Sequence, residues 1–371
     1  MSAAAYDVAI AGAGIVGAAC AYELAGRGMR VAAIEREVVG SGATAAAMGH
    51  VAVMDDSDAQ FALTRFSQQL WRELRDELPP EVEYDACGTL WIASSEQDLV
   101  EAARKQAHYR ARGVPAEIVD ARALERMEPN LRKGLAGGLL VPEDTALYPQ
   151  PAARFLMRRA QDRGAVLLHG LVREIGRGRA GLADGSELSA GCIVNAAGAW
   201  SPALTPGIDV KKRKGHLAIT DPYPGFVHRQ LVELGYLRSA HAGAGDSVAF
   251  NIQPRGMGQM LIGSSRQYDA ESSEVESDIL ARMLARAREY LPNLAGISPV
   301  RAWAGFRPAT SDKLPLIGPW PGDETIYLAT GHEGLGITTA LGTARLIADQ
   351  LTGTACAIPI EPYLPSGRRK V

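Results

Sequence analysis

A glycine turn near the start of the chain has the residue types and spacing that bind a dinucleotide. The apolar segment from Tyr6 to Ala11 runs into G-A-G-I-V-G at residues 12–17. In this pattern Gly12 takes the tight turn, Gly14 lets backbone N–H groups approach a pyrophosphate, and Gly17 allows helix and strand to pack closely. The phosphates then lie at a helix N-terminus, where unpaired N–H groups and the helix dipole favour negative charge.

An acid follows the second predicted strand, which runs from Arg30 to Ile34. Glu35 stands 23 residues past Gly12. A carboxylate here accepts hydrogen bonds from ribose hydroxyls, whereas an NADP site places an arginine against the 2′-phosphate. The sequence therefore predicts a dinucleotide without a 2′-phosphate, and the glycine turn by itself leaves FAD and NAD open.

Three further segments combine glycine with little side-chain bulk. Residues 40–50 read GSGATAAAMGH, a loop that can lie flat against a planar ligand. Residues 192–201 form an apolar strand that breaks at small residues, which predicts a second backbone approach to the cofactor. The segment G-H-E-G-L-G at 331–336 opens a predicted helix that runs to Leu351.

Size and charge exclude several functional classes. The 371 residues, 47% of them apolar, allow a large core and about two domains. Because 39 Lys and Arg nearly balance 42 Asp and Glu, no net field favours nucleic acid, and the basic run 211–214 is interpreted as a solvated strand end. No apolar run approaches the roughly 18 residues of a membrane span. The N-terminus lacks secretory features, so we expect a cytoplasmic protein.

The four cysteines are scattered and form no C-x-x-C pair. This spacing predicts neither a zinc site nor an iron–sulfur centre, and no metal ligand is assigned. Cys20, beside the glycine turn, is interpreted as a small buried residue rather than a redox group.

The period of the hydrophobic pattern changes along the chain. A period near 3.6 or a helix-typical composition predicts helices at 61–74, 96–112, 152–163 and 275–290. Alternation predicts strands at 216–220, 247–253 and 259–263. These strands suggest an antiparallel sheet with a separate face, which we interpret as the substrate domain.

Four separated segments together are more specific than any one of them. They are the glycine turn at 12–17, VNAAGAW at 194–200, Arg307-Pro308 through LPLIG at 314–318, and Gly331-His332 with the glycines that follow. In this order they resemble the D-amino-acid oxidase family of FAD oxidoreductases, over nearly the whole chain. Residues 47–50, 214–216 and 258–268 look most like the beta subunits of D-hydroxyproline dehydrogenases and, next, of opine oxidases.

The resemblance implies an α/β fold with two domains. An FAD-binding, Rossmann-like domain of the glutathione-reductase type would comprise residues 1–85, 146–213 and 306–371. An α+β substrate-binding domain built on an antiparallel sheet would comprise 86–145 and 214–305.

The same resemblance implies non-covalent FAD. Residues 44–46 contain no His and residues 307–318 no Cys, so the attachment positions of relatives are not filled. The expected cofactor-binding residues are Gly12, Gly14, Ile15, Val16, Gly17, Glu35, Arg36, Ser41, Thr44, Ala46, Ala47, Met48, Gly49, Val172, Ala196, Ala197, Gly198, Trp200, Arg307, Gly331, His332, Gly334, Leu335, Gly336 and Ile337.

Arginine suits the role of orienting an amino acid, because its planar fork binds a carboxylate through two parallel hydrogen bonds. The resemblance places Arg307 at the position that anchors the substrate carboxylate in glycine oxidase relatives. Relatives often carry a second arginine in the 331–336 stretch, where this chain has His332 and Glu333. A clamp of two arginines is therefore in doubt.

Two other side chains are candidates for the reaction. Arg266, after the strand that begins at Met260, falls where relatives present a substrate-facing residue, and a salt bridge at the rim is the alternative. His50 could accept a proton from the substrate amine, with an ordinary structural histidine as the alternative. His332 is interpreted as a structural cap rather than an acid or base.

The resemblance implies oxidation of the C–N bond of a D-amino or imino acid, with D-hydroxyproline or D-proline as the first expectation. Sarcosine oxidase relatives have a lysine beside the flavin that is associated with oxygen reactivity, and no lysine of this chain, Lys214 included, is matched to it. We therefore expect electrons to pass to redox partner subunits in a hetero-oligomer. The alternatives are an oxygen-dependent glycine or sarcosine type oxidase, an opine oxidase beta subunit, and a flavin electron-relay subunit.

Overall fold

The computed structural model describes residues 5–235 and 245–365. The chain divides into two compact units. Unit 1 comprises Met1–Val82, Tyr148–Lys212 and Phe306–Val371, and unit 2 comprises Glu83–Leu147 and Arg213–Gly305. The boundaries expected from the sequence, at 85, 146, 213 and 306, differ from these by three residues or fewer.

Unit 1 is built on a largely parallel sheet. The strands of this sheet are β1 (Tyr6–Ala11), β2 (Val31–Glu35), β8 (Val166–His169), β9 (Val172–Gly176), β10 (Arg179–Leu182), β11 (Glu187–Asn195), β17 (Leu316–Trp320) and β18 (Asp323–Thr330). The short strand β3 (His50–Val51) of this unit lies outside the sheet. The order in the sheet is β17-β18-β11-β1-β2-β8, with the β9–β10 hairpin attached to β11. The pairs from β18 to β8 are parallel, so β2 and β11 end on either side of the carboxyl end of β1.

The helices of unit 1 are α1 (Ile15–Gly26), α2 (Asp58–Leu74), α5 (Pro149–Asp162), α6 (Ser201–Leu204) and α8 (Gly336–Thr352). Helix α1 contacts both α5 and α8. Its alanines and Cys20 are inaccessible to solvent, as expected of a helix that is apolar all round. Burial raises the pKa of the Cys20 thiol to about 12, which agrees with a packing role for this residue.

Unit 2 is built on a second sheet. The strands of this unit are β4 (Thr89–Ala93), β5 (Glu117–Asp120), β6 (Gly137–Val141), β7 (Thr145–Ala146), which is not part of that sheet, β13 (Gln230–Glu233), β14 (Ser247–Pro254) and β15 (Met260–Arg266). The sheet also contains β12 (Lys211–Thr220) and β16 (Pro299–Ala309), of which residues 211–212 and 306–309 are counted in unit 1. The order is β16-β12-β15-β14-β13-β4-β6-β5. The helices are α3 (Glu96–Ala111), α4 (Ala121–Met127) and α7 (Ser277–Tyr290).

This second sheet differs from the expected antiparallel sheet where β13 and β4 pair in parallel. The pairs β12–β15, β15–β14, β14–β13, β4–β6 and β6–β5 are antiparallel. A parallel pair requires a long connection, and the chain between Ala93 and Gln230 supplies one. The core of unit 2 forms where Leu90, Phe250 and Ile252 of the sheet pack with Met283 of α7.

The basic run 211–214 is a solvated strand end only at its start. Lys211 is exposed, but Lys214 is 1% exposed and its Nζ donates to Glu276 Oε1 at 2.6 Å. Gln267 Nε2 donates to the other carboxylate oxygen of Glu276 at 2.9 Å. The interpretation was wrong for Lys214, because side chains alternate between the two faces of a strand and one charge of such a run can be turned inward.

Among the described residues, no helix is both long enough and apolar enough to span a membrane.

Candidate functional site

The glycine turn after β1 has no room for side chains. Gly12 has φ +102°, and a Cβ atom on it would lie 2.8 Å from the carbonyl oxygen of Ala196. A Cβ on Gly17 would overlap with the carbonyl oxygen of Gly12. The turn is therefore packed directly against the segment that follows β11, so that two of the small-residue segments meet at the carboxyl end of the sheet.

Glu35, the last residue of β2, is buried beside this turn. Its Oε2 accepts a hydrogen bond from Ala13 N–H at 2.7 Å. Its Oε1 accepts from Glu37 N–H at 3.0 Å and from Ser41 Oγ at 3.3 Å. An ionised carboxylate offers about four acceptor sites. Glu35 is thus fixed in place by the turn and still has capacity for a ribose hydroxyl.

Thr44, from the 40–50 loop, caps the helix that follows the turn. Helix α1 begins after Gly14, which has no side chain to cap it, and Thr44 Oγ1 accepts from Ile15 N–H at 2.9 Å. A Cβ on Gly14 would lie 3.2 Å from the same hydroxyl. The loop coils over the start of α1, since Ala46 N–H and Ala47 N–H donate to the carbonyls of Gly42 and Thr44. Met48 at its end is buried.

Asn195, at the end of β11, organises the second small-residue segment. Its Nδ2 donates to the Ser201 carbonyl at 3.0 Å and to Thr205 Oγ1 at 2.9 Å, and its Oδ1 accepts from Ala197 N–H at 3.2 Å. Thr330 Oγ1 donates to the carbonyl of Gly198, whose φ is +56°. Our sequence reasoning assigned no role to Asn195 or Thr330. The signal available for Asn195 was its place between an apolar strand and a small-residue turn.

The 331–336 segment lies beside Arg307. Arg307 is partly buried near the end of β16, and a Cβ on Gly334 would lie 3.8 Å from its Cδ and Nε. Ala309 and His332 form an isolated antiparallel bridge. The predicted helix begins with a 3₁₀ turn, Glu333–Leu335, before α8 starts at Gly336. The structure thus brings Arg307 and Gly334 of this segment together.

The side chain of His332 is uncharged at neutral pH. Burial lowers its pKa to about 3, and its Nε2 hydrogen-bonds with Thr343 Oγ1 at 2.9 Å. The expectation that it is neither acid nor base agrees with this environment. His332 occupies the N-cap position of the 3₁₀ turn, but its side chain makes no capping hydrogen bond and instead contacts Thr343 in the second turn of α8.

The other expected site residues fall in both units. In unit 1, His50 lies in β3 and its carbonyl accepts from Thr338 Oγ1 at 2.9 Å. Val172 begins β9, and the carbonyl of Ile337 accepts from Trp71 Nε1. Arg266 belongs to unit 2. It is the buried last residue of β15, so the interpretation as a residue beyond the strand was wrong.

These residues fit the diphosphate and ribose of a dinucleotide. The turn at 12–17 excludes side chains where backbone N–H groups must face phosphate, and the carboxylate of Glu35 is held next to it. The chemistry of this donor set, backbone amides for phosphate and a carboxylate for ribose hydroxyls, is that of FAD or NAD. All of it belongs to unit 1.

Comparisons with known proteins separate these two cofactors. A family model described as FAD dependent oxidoreductase matches residues 7–350. Glycine oxidase of Pseudomonas putida is 29% identical over 328 residues, 84% of this chain and 84% of the relative. D-amino acid dehydrogenase of Methylobacterium nodulans is 29% identical over 316 residues, 81% of this chain and 71% of the relative.

The fold agrees with these matches. The crystal structure of glycine oxidase from Geobacillus kaustophilus has a TM-score of 0.88 and 27% identity to this chain, over 99% of each. The predictions of the fold class, of FAD and of an enzyme acting on CH–NH are confirmed. The finer resemblance to D-hydroxyproline dehydrogenase and opine oxidase subunits stays a prediction.

Proposed function

We propose that this chain, which belongs to the family of FAD-dependent oxidoreductases, oxidises the C–N bond of a small D-amino or imino acid to the imine. The observation that carries the proposal is the position of Arg307 beside Gly334, in the 3₁₀ turn that precedes α8 and in the same unit as the dinucleotide turn. Glycine oxidase and D-amino acid dehydrogenase relatives support the class of substrate.

Arg307 supplies the carboxylate contact in this proposal. The partly buried guanidinium can give two parallel hydrogen bonds to a carboxylate, which fixes both the position and the rotation of the amino acid. Gly334 lacks a side chain, so nothing at that position competes with the bound acid for the space beside Cδ and Nε. Orientation of the reacting carbon is the main contribution that such a contact makes.

When bound, FAD supplies the acceptor for the hydride that leaves the α-carbon. The chain contributes electrostatics through α8, a helix of 17 residues whose N-cap, Leu335, has no capping side chain. The positive end of such a helix stabilises negative charge placed against its first turn. Because the pKa of His332 is about 3, its imidazole carries no positive charge at neutral pH. The positive potential of this segment therefore comes from the helix end and not from His332.

The substrate amine must lose a proton before it reacts. His332 is excluded by its pKa of about 3. His50, whose backbone is tied to Thr338 of α8, is our candidate for the acceptor, and Arg266 is kept as a second candidate for substrate contact.

Within this class we propose D-hydroxyproline or D-proline as substrate, with electrons passed to redox partner subunits in a cytoplasmic hetero-oligomer. This rests on the likeness of residues 47–50, 214–216 and 258–268. The glycine oxidase relatives support a second candidate equally well, an oxidase of glycine or sarcosine that uses oxygen. An opine oxidase subunit and a flavin electron-relay subunit are the remaining alternatives.

An anaerobic screen tests the proposal and separates the candidates. The isolated chain is mixed with D-proline, D-hydroxyproline, glycine, sarcosine and opines, and the flavin absorbance is followed. We expect cyclic imino acids to bleach it fastest. Faster bleaching by glycine or sarcosine, with peroxide formed in air, would select the oxidase, and absence of bleaching by every compound would remove the proposed activity and leave electron relay.

A further inference from the structure

Two aromatic rings in contact, with a cation against each of them, form a row in unit 1. The guanidinium of Arg36 lies 4.5 Å from the centre of the Trp200 ring. Trp200 and Phe306 meet edge to face at 6.5 Å with an interplanar angle of 90°, and Lys212 Nζ lies 5.6 Å from the Phe306 ring. We call these four residues the cation–ring stack.

The stack begins at the dinucleotide turn. Arg36 directly follows Glu35 at the end of β2, and Trp200 closes the 3₁₀ turn Gly198–Trp200 after β11. Since β1 lies between β2 and β11, the Arg36–Trp200 pair spans the two strand ends that flank the glycine turn. The 40–50 loop also approaches it, because a Cβ on Gly42 would lie 3.7 Å from the Trp200 ring.

The pair preorganises a side chain that is otherwise mobile. An arginine carries about 2 kcal/mol of rotamer entropy, and a cation–π contact contributes about 0.5–2 kcal/mol toward fixing it. Phe306 holds the indole from its edge, and Glu37 Oε1 lies 3.3 Å from Arg36 Nε. The side chain of Arg36 nevertheless stays 36% exposed, so part of its cationic surface faces outward next to Glu35.

We propose that Trp200 is a positioning residue that holds Arg36 for the adenosine diphosphate half of the cofactor. A planar cation fixed beside the ribose-binding acid can contact the purine ring or the diphosphate, and both groups favour it. The sequence pattern had grouped Trp200 with the residues that touch the cofactor, whereas the stack gives it a role through Arg36. The inference rests on the cofactor of the proposed function but not on its substrate.

Binding to the apoprotein tests this inference independently of turnover. ADP affinity is measured by calorimetry, and FAD and FMN affinity by quenching of flavin fluorescence. We expect Arg36→Gln and Trp200→Leu to weaken ADP and FAD binding about tenfold, the loss of one charged contact, while FMN affinity stays unchanged. Trp200→Phe keeps a ring under the guanidinium and should restore FAD affinity to within about threefold of the parent.

The matched control is Arg301→Gln, which removes a guanidinium lying 5.6 Å from the Trp303 ring in unit 2. It should leave all three affinities unchanged. If Arg36→Gln and Trp200→Leu both lower the melting temperature and leave ADP affinity unchanged, the pair only stabilises the fold and the inference is overturned. Equal weakening of FMN and FAD binding would overturn it as well. If Trp200→Leu does not fold, Arg36→Gln decides, because it alters a partly exposed side chain. Failure of the substrate screen would leave these affinities untouched.

Discussion

Arg307 is the side chain on which substrate binding depends in our proposal. It lies partly buried on β16, next to Gly334 in the 3₁₀ turn before α8, and its neighbours in sequence are apolar. Such surroundings strengthen a charge-assisted hydrogen bond compared with one on the open surface. The consequence is a large and specific effect of substitution on substrate affinity rather than on folding.

We expect Arg307→Ala to raise the substrate concentration for half-maximal flavin reduction by about 10- to 100-fold, since hydrogen bonds to a charged group contribute about 1.5–3 kcal/mol. Arg307→Lys should fall between the parent and Arg307→Ala, because an ammonium keeps the charge but loses the fork. Anaerobic stopped-flow reduction measures both. Arg301→Gln on the same strand is the control, and near-parental kinetics in Arg307→Ala would reject the carboxylate role.

Burial of His332 should make the free energy of unfolding depend on pH. In the unfolded chain it has the ordinary pKa of 6.5, and burial lowers the folded value to about 3. Between these values the unfolded state binds the proton and the folded state does not, so stability falls as the pH drops below 6.5. The contribution is about 1.4 kcal/mol per pH unit within this window.

Replacing His332 by Gln should flatten this dependence, because an amide can keep the hydrogen bond to Thr343 without titrating. Urea unfolding at pH 7 and pH 5 gives the two free energies for each protein. The parent should lose more stability than His332→Gln over this interval. Equal losses in both would mean that His332 is not the group responsible.

Gly17 is required for lack of space rather than for its backbone conformation. Gly17 lies in the first turn of α1, and a Cβ there would overlap with the carbonyl oxygen of Gly12, the residue that follows β1. Helix α1 is therefore in direct backbone contact with the glycine turn. Any side chain at residue 17 must push α1 away from the sheet.

We expect Gly17→Ala to lower the free energy of unfolding by roughly 1–3 kcal/mol, the usual cost of overpacking, and to reduce the flavin content of the purified protein. Gly296→Ala is the matched control, since a Cβ at 296 has nothing within 4 Å. Thermal unfolding and the ratio of flavin to protein absorbance check both. A stable, fully loaded Gly17→Ala protein would contradict the packing described for this turn.

The elements that the sequence predicted well are those with local signals. The first strand, the glycine turn, α1 and the acid of β2 were all predicted, because each depends on residues close in the chain. The cap that Thr44 gives to Ile15 joins residues 29 apart and was missed. Arg266 and Lys214 were misplaced for the same reason, since burial of a charged side chain depends on partners such as Glu276 that no local pattern identifies.

At the scale of the whole molecule, the hydrophobic pattern predicted the presence of two sheets and the family resemblance predicted the cofactor. Alternating strands indicated a second sheet, but strand order is set by long connections, and the parallel pairing of β4 with β13 left no local trace. Four separated segments were enough for the family, and the match over residues 7–350 confirms it. Substrate and electron acceptor depend on a few side chains that vary within such a family, so they stay proposals.

We expect the flavin to be bound to the whole protein without a covalent link. A covalent link needs a reactive thiolate or imidazole at the flavin, and burial raises the pKa of Cys20, Cys87 and Cys192 to about 12, which keeps these thiols protonated and poorly nucleophilic. His332, buried and bonded to Thr343, is likewise committed to a structural contact. Precipitation of the holoprotein with acid should therefore release the flavin into the supernatant, where its absorbance and fluorescence are measured. A yellow pellet, or a fluorescent band in a denaturing gel, would contradict non-covalent binding, and peptide mapping of that band would identify the attached side chain.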